Sequence, residues 1–448
     1  AGGEELEGLD ITAKVSPKGA DLSGACLWTG ARLAFSGQAS SAGLSLSGTF
    51  SGLDLARLGD RMPDARGLKP RGGVSGRFYL QVPRSGAPVV RVLPSGGAVT
   101  LEGSRGTMTL GGLGGELVIS RGGVSLRSLS FLYRGGRFTL DGSVPSGDGG
   151  VRVKGRVTAL PASALAEGAR GSLSGTFSAT GPVSSPSIEF SLSSHELSTG
   201  SASIGGFSAS GVLREGRLGN LVVKGNFMGI PLSMSGGGSL DDLTLSGSLV
   251  DVSVVPLLSA AKAEVPISGR VSGKLSARLR PGGSSLSIGV SGGRLEAYGL
   301  PLTGLSGTVA SDGAYWRVTN LSGSILGGRV SAGGAGGPKG ADLTVALVDL
   351  NLEAPDSPLK GLASGRFHGE AKVSGPMDAA TVSLAGNVKG AGMGGISLGD
   401  LSVAVQGSGG DLNVSSIRGQ VGEGVLEATG NISLRGGSPR VRLSIQGK

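Results

Sequence analysis

The stretch Arg134-Gly135-Gly136-Arg137-Phe138-Thr139-Leu140-Asp141-Gly142 decides the fold. It reads as a glycine turn, a short strand of alternating character and a closing glycine. Counterparts are Gly30-Ala31-Arg32-Leu33-Ala34-Phe35-Ser36-Gly37, Gly229-Ile230-Pro231-Leu232-Ser233-Met234-Ser235-Gly236, Gly327-Gly328-Arg329-Val330-Ser331-Ala332-Gly333-Gly334 and Gly424-Val425-Leu426-Glu427-Ala428-Thr429-Gly430. The closing glycines lie 105, 94, 98 and 96 residues apart. Because 88 of the 448 residues are glycine, one such match means little and a second marker is needed. It is Ser-Gly-x-[Phe/Leu], seen at Ser75-Gly76-Arg77-Phe78, Ser174-Gly175-Thr176-Phe177, Ser272-Gly273-Lys274-Leu275 and Ser364-Gly365-Arg366-Phe367, with glycines 99, 98 and 92 apart. Two markers in step define a tandem repeat of about 95 residues.

The order within a unit is readable between 160 and 250. Leu160-Pro161-Ala162-Ser163-Ala164-Leu165, stopping at Gly168, predicts a two-turn helix with proline in its first turn and glycine just past its end. Strands are predicted over Leu173–Ala179, Ile188–Leu192, Phe207–Leu213, Arg217–Val223, Leu232–Met234 and Leu243–Leu249. Turn triplets such as Arg214-Glu215-Gly216, Ser311-Asp312-Gly313 and Ser408-Gly409-Gly410 separate strands. The chain therefore reads as a partial repeat over 1–53, repeats over 54–159, 160–250 and 251–348, and a repeat over 349–448 truncated at its C-terminal end. Leu9 to Gly37 matches Leu113 to Gly142, and Val441-Arg442-Leu443 matches Val151-Arg152-Val153, so both ends fall inside a unit. Neither end resembles a polar cap, which solenoid-like arrays need; the expectation is a portion of a longer protein.

Composition excludes several classes. Hydrophobic residues make up 38% and alternate with polar ones, so this is not a Gly/Ser linker. Glycine does not recur at every third position and proline is only 20 residues, which excludes collagen. No run approaches 18 apolar residues and Ala1 onward lacks a signal-peptide layout, so any anchor is expected outside this chain. The single Cys26 cannot form an internal disulfide and reads as a small buried apolar residue. The net charge of +9 comes from 41 Lys and Arg scattered among 32 Asp and Glu, without a basic block, which argues against nucleic acid.

Along the strands the period is two. Leu44, Leu46 and Phe50 alternate with Ser45, Ser47 and Thr49, and Val151, Val153 and Val157 with Arg152, Lys154 and Arg156. Leu243, Leu245 and Leu249, and Leu343, Val345 and Leu347, behave alike. The same stripe is carried by Phe138 and Leu140, by Ile188, Phe190 and Leu192, by Leu221 and Val223, and by Leu232 and Met234. Further along stand Ile288, Val318, Val330, Val382, Leu384, Leu412, Val414, Leu426, Val441, Leu443 and Ile445. Each unit thus has one apolar and one wet face. Either a second sheet covers the apolar face, giving a dry sandwich or solenoid core, or the face stays open. Only 16 aromatics serve the chain, and many apolar positions are Val, Ala or Gly, little bulk for a core that must fill to crystal-like density. Glycine also permits the bending that curls a sheet into a gutter.

No catalytic constellation is visible, and no enzyme activity, metal or cofactor is expected. His195 and His368 fall at unlike points of the repeat without metal-like spacing and read as solvent-facing strand residues. Gly269-Arg270-Val271-Ser272-Gly273-Lys274 has its first glycine one place too late for a phosphate loop, and Leu275 stands where Ser or Thr should. Asp241-Asp242 reads as a solvated turn. Trp28 and Tyr133 share a repeat position just before the glycine pair, and Trp316 follows a hairpin turn. They either pack on the sheet or stand at a groove rim.

Three further elements complete the pattern: Gly181-Pro182-Val183-Ser184-Ser185-Pro186-Ser187-Ile188; Gly375-Pro376 with Val382-Ser383-Leu384, lacking the second proline; and Val252-Ser253-Val254-Val255-Pro256-Leu257-Leu258 followed by Ile267-Ser268-Gly269-Arg270-Val271-Ser272-Gly273. In their order and recurrence, over essentially the full chain, they resemble the AsmA-like and TamB-like repeating β-groove proteins of bacterial envelopes. That resemblance implies an all-β, elongated, twisted, taco-shaped sheet with short helical plugs between units. It implies a periplasmic location in a diderm bacterium, an inner-membrane anchor outside this chain, and passage of phospholipids or other acyl lipids along an apolar groove toward the outer membrane. Six strands per unit at about 4.8 Å, over roughly 4.5 units, would reach on the order of 130 Å. Two rivals stand beside it: a structural or adhesive β-solenoid with a dry core, and an outer-membrane protein assembly factor that binds through strand edges.

Overall fold

The computed structural model describes residues 7–59, 69–103, 106–147, 149–199, 202–227, 229–256, 267–281, 283–297, 299–376, 379–408, 411–433 and 440–447. The first strands are β1 (Glu7–Ser16), β2 (Gly19–Trp28), β3 (Ala31–Ser40) and β4 (Gly43–Asp54), followed by the helical turn α1 (Leu55–Gly59) and the three-residue β5 (Lys69–Arg71). Sets of six follow. The first is β6 (Gly73–Pro83), β7 (Val89–Gly103), β8 (Gly106–Ser120), β9 (Gly123–Tyr133), β10 (Gly136–Pro145) and β11 (Val151–Pro161). After a 3-10 turn (Ala162–Ala164) come β12 (Ala169–Gly181), β13 (Ser187–Thr199), β14 (Ala202–Arg214), β15 (Arg217–Phe227), β16 (Ile230–Ser239) and β17 (Asp242–Ser253). The third set is β18 (Ile267–Leu279), β19 (Ser285–Ala297), β20 (Leu300–Asp312), β21 (Tyr315–Ile325), β22 (Gly328–Gly337) and β23 (Gly340–Asn351). The last is β24 (Ala363–Gly375), β25 (Thr381–Met393), β26 (Ile396–Ser408), β27 (Asp411–Val421), β28 (Gly424–Ser433) and β29 (Arg440–Gly447).

The chain divides into two compact units, 1–225 and 226–448, and the division falls within β15. In the first unit each strand from β1 to β14 pairs antiparallel with the next, except that β4 pairs with β6, while β5 lies against the far end of β7. In the second, β16 to β29 follow one another in the same antiparallel manner. The chain is all-β, as the period-two pattern predicts. Tight hairpins make this possible: Arg134-Gly135 (φ 49° and 87°) and Leu326-Gly327 (49° and 72°) place both central residues in the left-handed region, as a two-residue turn that follows the strand twist requires.

One local expectation is corrected. The two-turn helix over 160–168 is absent: Leu160 and Pro161 extend β11, with Leu160 opposite Leu173, and only 162–164 turn as a 3-10 helix. Pairing across the sheet outcompetes a helix too short to nucleate. Gly269 to Lys274 lies within β18 and forms no loop. Leu257 and Leu258 of the next plug lie outside the described residues.

β4, β11, β17 and β23 each carry a β-bulge that the alternation did not reveal. Register slips between Phe50 and Leu53, Val157 and Leu160, Leu249 and Val252, and Leu347 and Leu350. A left-handed residue sits in each slip: Gly52, Ala159, Asp251 and Asp349. In the first three, its N–H donates to Oγ of Ser75 (3.1 Å), Ser174 (3.0 Å) and Ser272 (2.9 Å). These are the serines of the Ser-Gly marker. Its glycines serve the opposite side, because a β-carbon at Gly76, Gly175 or Gly273 would run into the carbonyl oxygen of Leu93, Ser191 or Gly289 on the next strand. The fourth marker is displaced by four residues. Register places Gly369 opposite Leu347, 96 residues after Gly273, so Phe367-His368-Gly369 is the equivalent and Ser364-Gly365 is not.

A compact protein of 44.0 kDa exposes about 15,000 Å²; this chain exposes 26433 Å². Among the described residues Val414 alone, of the large side chains, is below 2% exposed. Packed cores are local and gather beside the bulges: Val157, Leu160 and Leu173 with Phe138, and Leu350, Phe367, Val388 and Leu401.

Candidate functional site

Side chains directly opposite on antiparallel strands share a face, so register shows whether the apolar stripes join. In the first unit Ile11, Gly24, Phe35, Gly48, Phe78, Val92, Leu117, Leu126, Gly142, Val153, Ala179, Ile188 and Leu213 are successive partners across thirteen strands. In the second, Met234, Gly247, Leu275, Ile288, Val309, Val318, Gly334, Leu343, Val373, Val382, Gly407, Leu412, Ile432 and Val441 are partners across fourteen. Neither ladder contains a polar residue. The adjoining ladder Asp141, Lys154, Ser178 and Glu189 belongs to the opposite, wet face.

Of the residues expected on the apolar face, Phe50, Val151, Val153, Val157, Leu221, Met234, Leu245, Leu249 and Val414 are buried. Leu44, Leu46, Phe138, Leu140, Ile188, Phe190, Leu192, Val223, Leu232 and Leu243 are half-buried. So are Ile288, Val318, Val330, Leu343, Val345, Leu347, Val382, Leu384, Leu412 and Leu426. Leu443 and Ile445 are exposed, and the side chain of Val441 lies outside the described residues.

Alternation missed the residues just past each bulge. Leu160, Val252 and Leu350 are buried, three places after Val157, Leu249 and Leu347, because the extra residue shifts the stripe by one. Phe177 was missed too. Register sets it between Gly155 and Phe190, and its alternation with Leu173 and Ala179 was the available signal.

Aromatics lie down on this face. The ring of Phe177 covers Gly155, and that of Trp316 covers Gly336, where a β-carbon would lie 2.9 Å from Nε1. Phe131 stacks on Phe138 at 5.3 Å, with Tyr133 edge-on at 6.2 Å and Phe177 tilted at 6.4 Å. Tyr133 and Trp316 thus pack on the sheet. Arg134 stands 5.6 Å from the Tyr133 ring centre and donates to the Ala164 carbonyl, tying that hairpin to the 3-10 turn. Cys26 is buried, and burial pushes its thiol up.

No protein-family model and no curated protein matches the chain. What the chain can do must therefore be read from its own faces. Two concavities of about 790 and 770 Å³ in the second unit take residues from two polar ladders flanking one apolar ladder, such as Arg278, Asp312 and Arg317 beside Trp316, and Ser246 and Lys274 beside Leu275. Asp242, expected to be only solvated, is gripped by Arg278, whose Nε donates at 2.7 Å, and by Arg280; these bonds, Arg278 foremost, bring its carboxyl down to about 2.

Proposed function

We propose that this chain is a segment of a lipid-transfer bridge of the AsmA-like or TamB-like kind. Its apolar face shields acyl chains between inner and outer membranes while head groups stay in water. One observation carries the reading: two polar-free ladders, of thirteen and fourteen strands, whose side chains stay mostly half-buried, with no second sheet among the described residues to cover them. Moving an acyl chain into water costs about 0.8 kcal/mol per methylene, so a travelling two-chain lipid needs continuous apolar cover. Uninterrupted aliphatics supply it without selecting one lipid. Rings laid on glycines keep the face low, which suits a passing chain better than a fixed ligand. In this reading the membranes are met through regions outside this chain, within the periplasm.

A dry-core solenoid is disfavoured by the scarcity of fully buried large side chains, and an assembly factor would bind at strand edges instead. Photocrosslinkers at Leu245 and Leu343, followed by native mass spectrometry of the purified chain, separate the three. Phospholipid adducts at both positions are expected. Lipid-free protein with no adducts overturns the bridge, and crosslinks from edge strands to a nascent barrel protein favour the assembly role.

A further inference from the structure

Three repeat bulges are closed by a hydroxyl and the fourth by an imidazole. At the fourth, Asp349 is left-handed (φ 64°) and its N–H donates to Nδ1 of His368 at 3.3 Å, where the other copies present Oγ of Ser75, Ser174 and Ser272. We propose that this bulge is a proton-sensitive latch, closed while His368 is neutral and released when it is protonated.

The chemistry follows from which nitrogen carries the proton. To accept from the Asp349 N–H, Nδ1 must offer its lone pair, which puts the imidazole proton on Nε2, 3.6 Å from Asp349 Oδ1. A second proton can only go to Nδ1. Donor then faces donor, the backbone N–H loses its acceptor, and the imidazolium is drawn toward the Asp349 carboxylate, which Arg366 already holds at 3.0 Å. Histidine is the side chain that changes charge between pH 5 and 8. A serine hydroxyl accepts across that whole range, so the other bulges lack the response.

The surrounding charges are mixed. On β24 stand Arg366 and Glu370, the latter paired with Lys372; on β25 Asn387 lies opposite His368 and Lys389 opposite Arg366; on β22 Arg329 lies opposite Val348. A non-glycine residue in the left-handed region is strained, so the latch bond holds a conformation that otherwise relaxes. Relaxation would move Leu350 and Phe367, both buried on the apolar face. Acidification is thus expected to loosen that face at one repeat only.

The test is amide hydrogen exchange of the full chain from pH 8 to 5, comparing Asp349 with Asp251, whose N–H is held by Ser272. The ratio removes the general pH dependence of exchange. It is expected to rise about two- to tenfold on acidification, the range for one net hydrogen bond, and to stay flat in His368→Ser. His368→Asn, which keeps an acceptor without titrating, serves if the serine variant folds poorly. A flat ratio in the unaltered chain, or the same rise in either variant, overturns the latch.

Discussion

The Phe177 ring lies across Gly155 of the neighbouring strand, so that a β-carbon at Gly155 would sit 2.7 Å from Cε1 of the ring. Gly155→Ala therefore forces the ring off the sheet. A loss of about 1–3 kcal/mol is expected, the usual cost of overpacking. Phe177→Ala should relieve much of it, so a double-mutant cycle by urea unfolding is expected to show clear coupling. Simple additivity would mean that the ring does not rest there.

The bulges give a pair of substitutions with opposite signs. Gly52 and Ala159 occupy equivalent left-handed positions, at φ 69° and 54°. Gly52→Ala is expected to destabilise by about 1 kcal/mol, while Ala159→Gly gains roughly 0.5 kcal/mol once glycine's larger unfolded-state entropy is subtracted. Repeat arrays open unit by unit, so hydrogen exchange local to β4 and β11 is the appropriate measurement.

The Asp242 carboxyl is held down to about 2 by the Arg278 hydrogen bond first and by Arg280 after it. Its folded value is depressed, so the stabilising contribution is present above the ordinary aspartate range and is lost as pH falls toward 2. Carboxyl NMR titration of Arg278→Ala should show the midpoint returning toward about 3.9. An unmoved midpoint would show that Arg278 is not the cause.

Neighbouring residues on one strand separate the faces. Val382 stands in the apolar ladder, and Ser383 points to the wet side opposite Lys372. Val382→Glu is expected to lower co-purifying lipid about tenfold, equivalent to 1.4 kcal/mol. Ser383→Glu should leave it unchanged. Equal losses in both, with both variants folded, would detach lipid retention from this face.

Much of the fold is legible along the chain because strand side chains alternate with a period of two and hairpins announce themselves by glycine. Leu243, Leu245 and Leu249 need nothing beyond that to be placed on one face. Across bulges the reading fails: Leu160, Val252 and Leu350 are displaced by a residue whose only local sign is its backbone angle. His368 shows the same limit. By sequence it is a stray histidine four places after a plausible Ser-Gly pair; by register it takes the serine's place.

The sequence by itself therefore determined the strand content, the repeat and the two faces, which are local and periodic properties. Only the tertiary structure decided which residues stand opposite one another, since pairing is set by register between segments tens of residues apart. It also decided that the rings of Phe177 and Trp316 lie on Gly155 and Gly336, because a ring's resting place depends on the strand beside it.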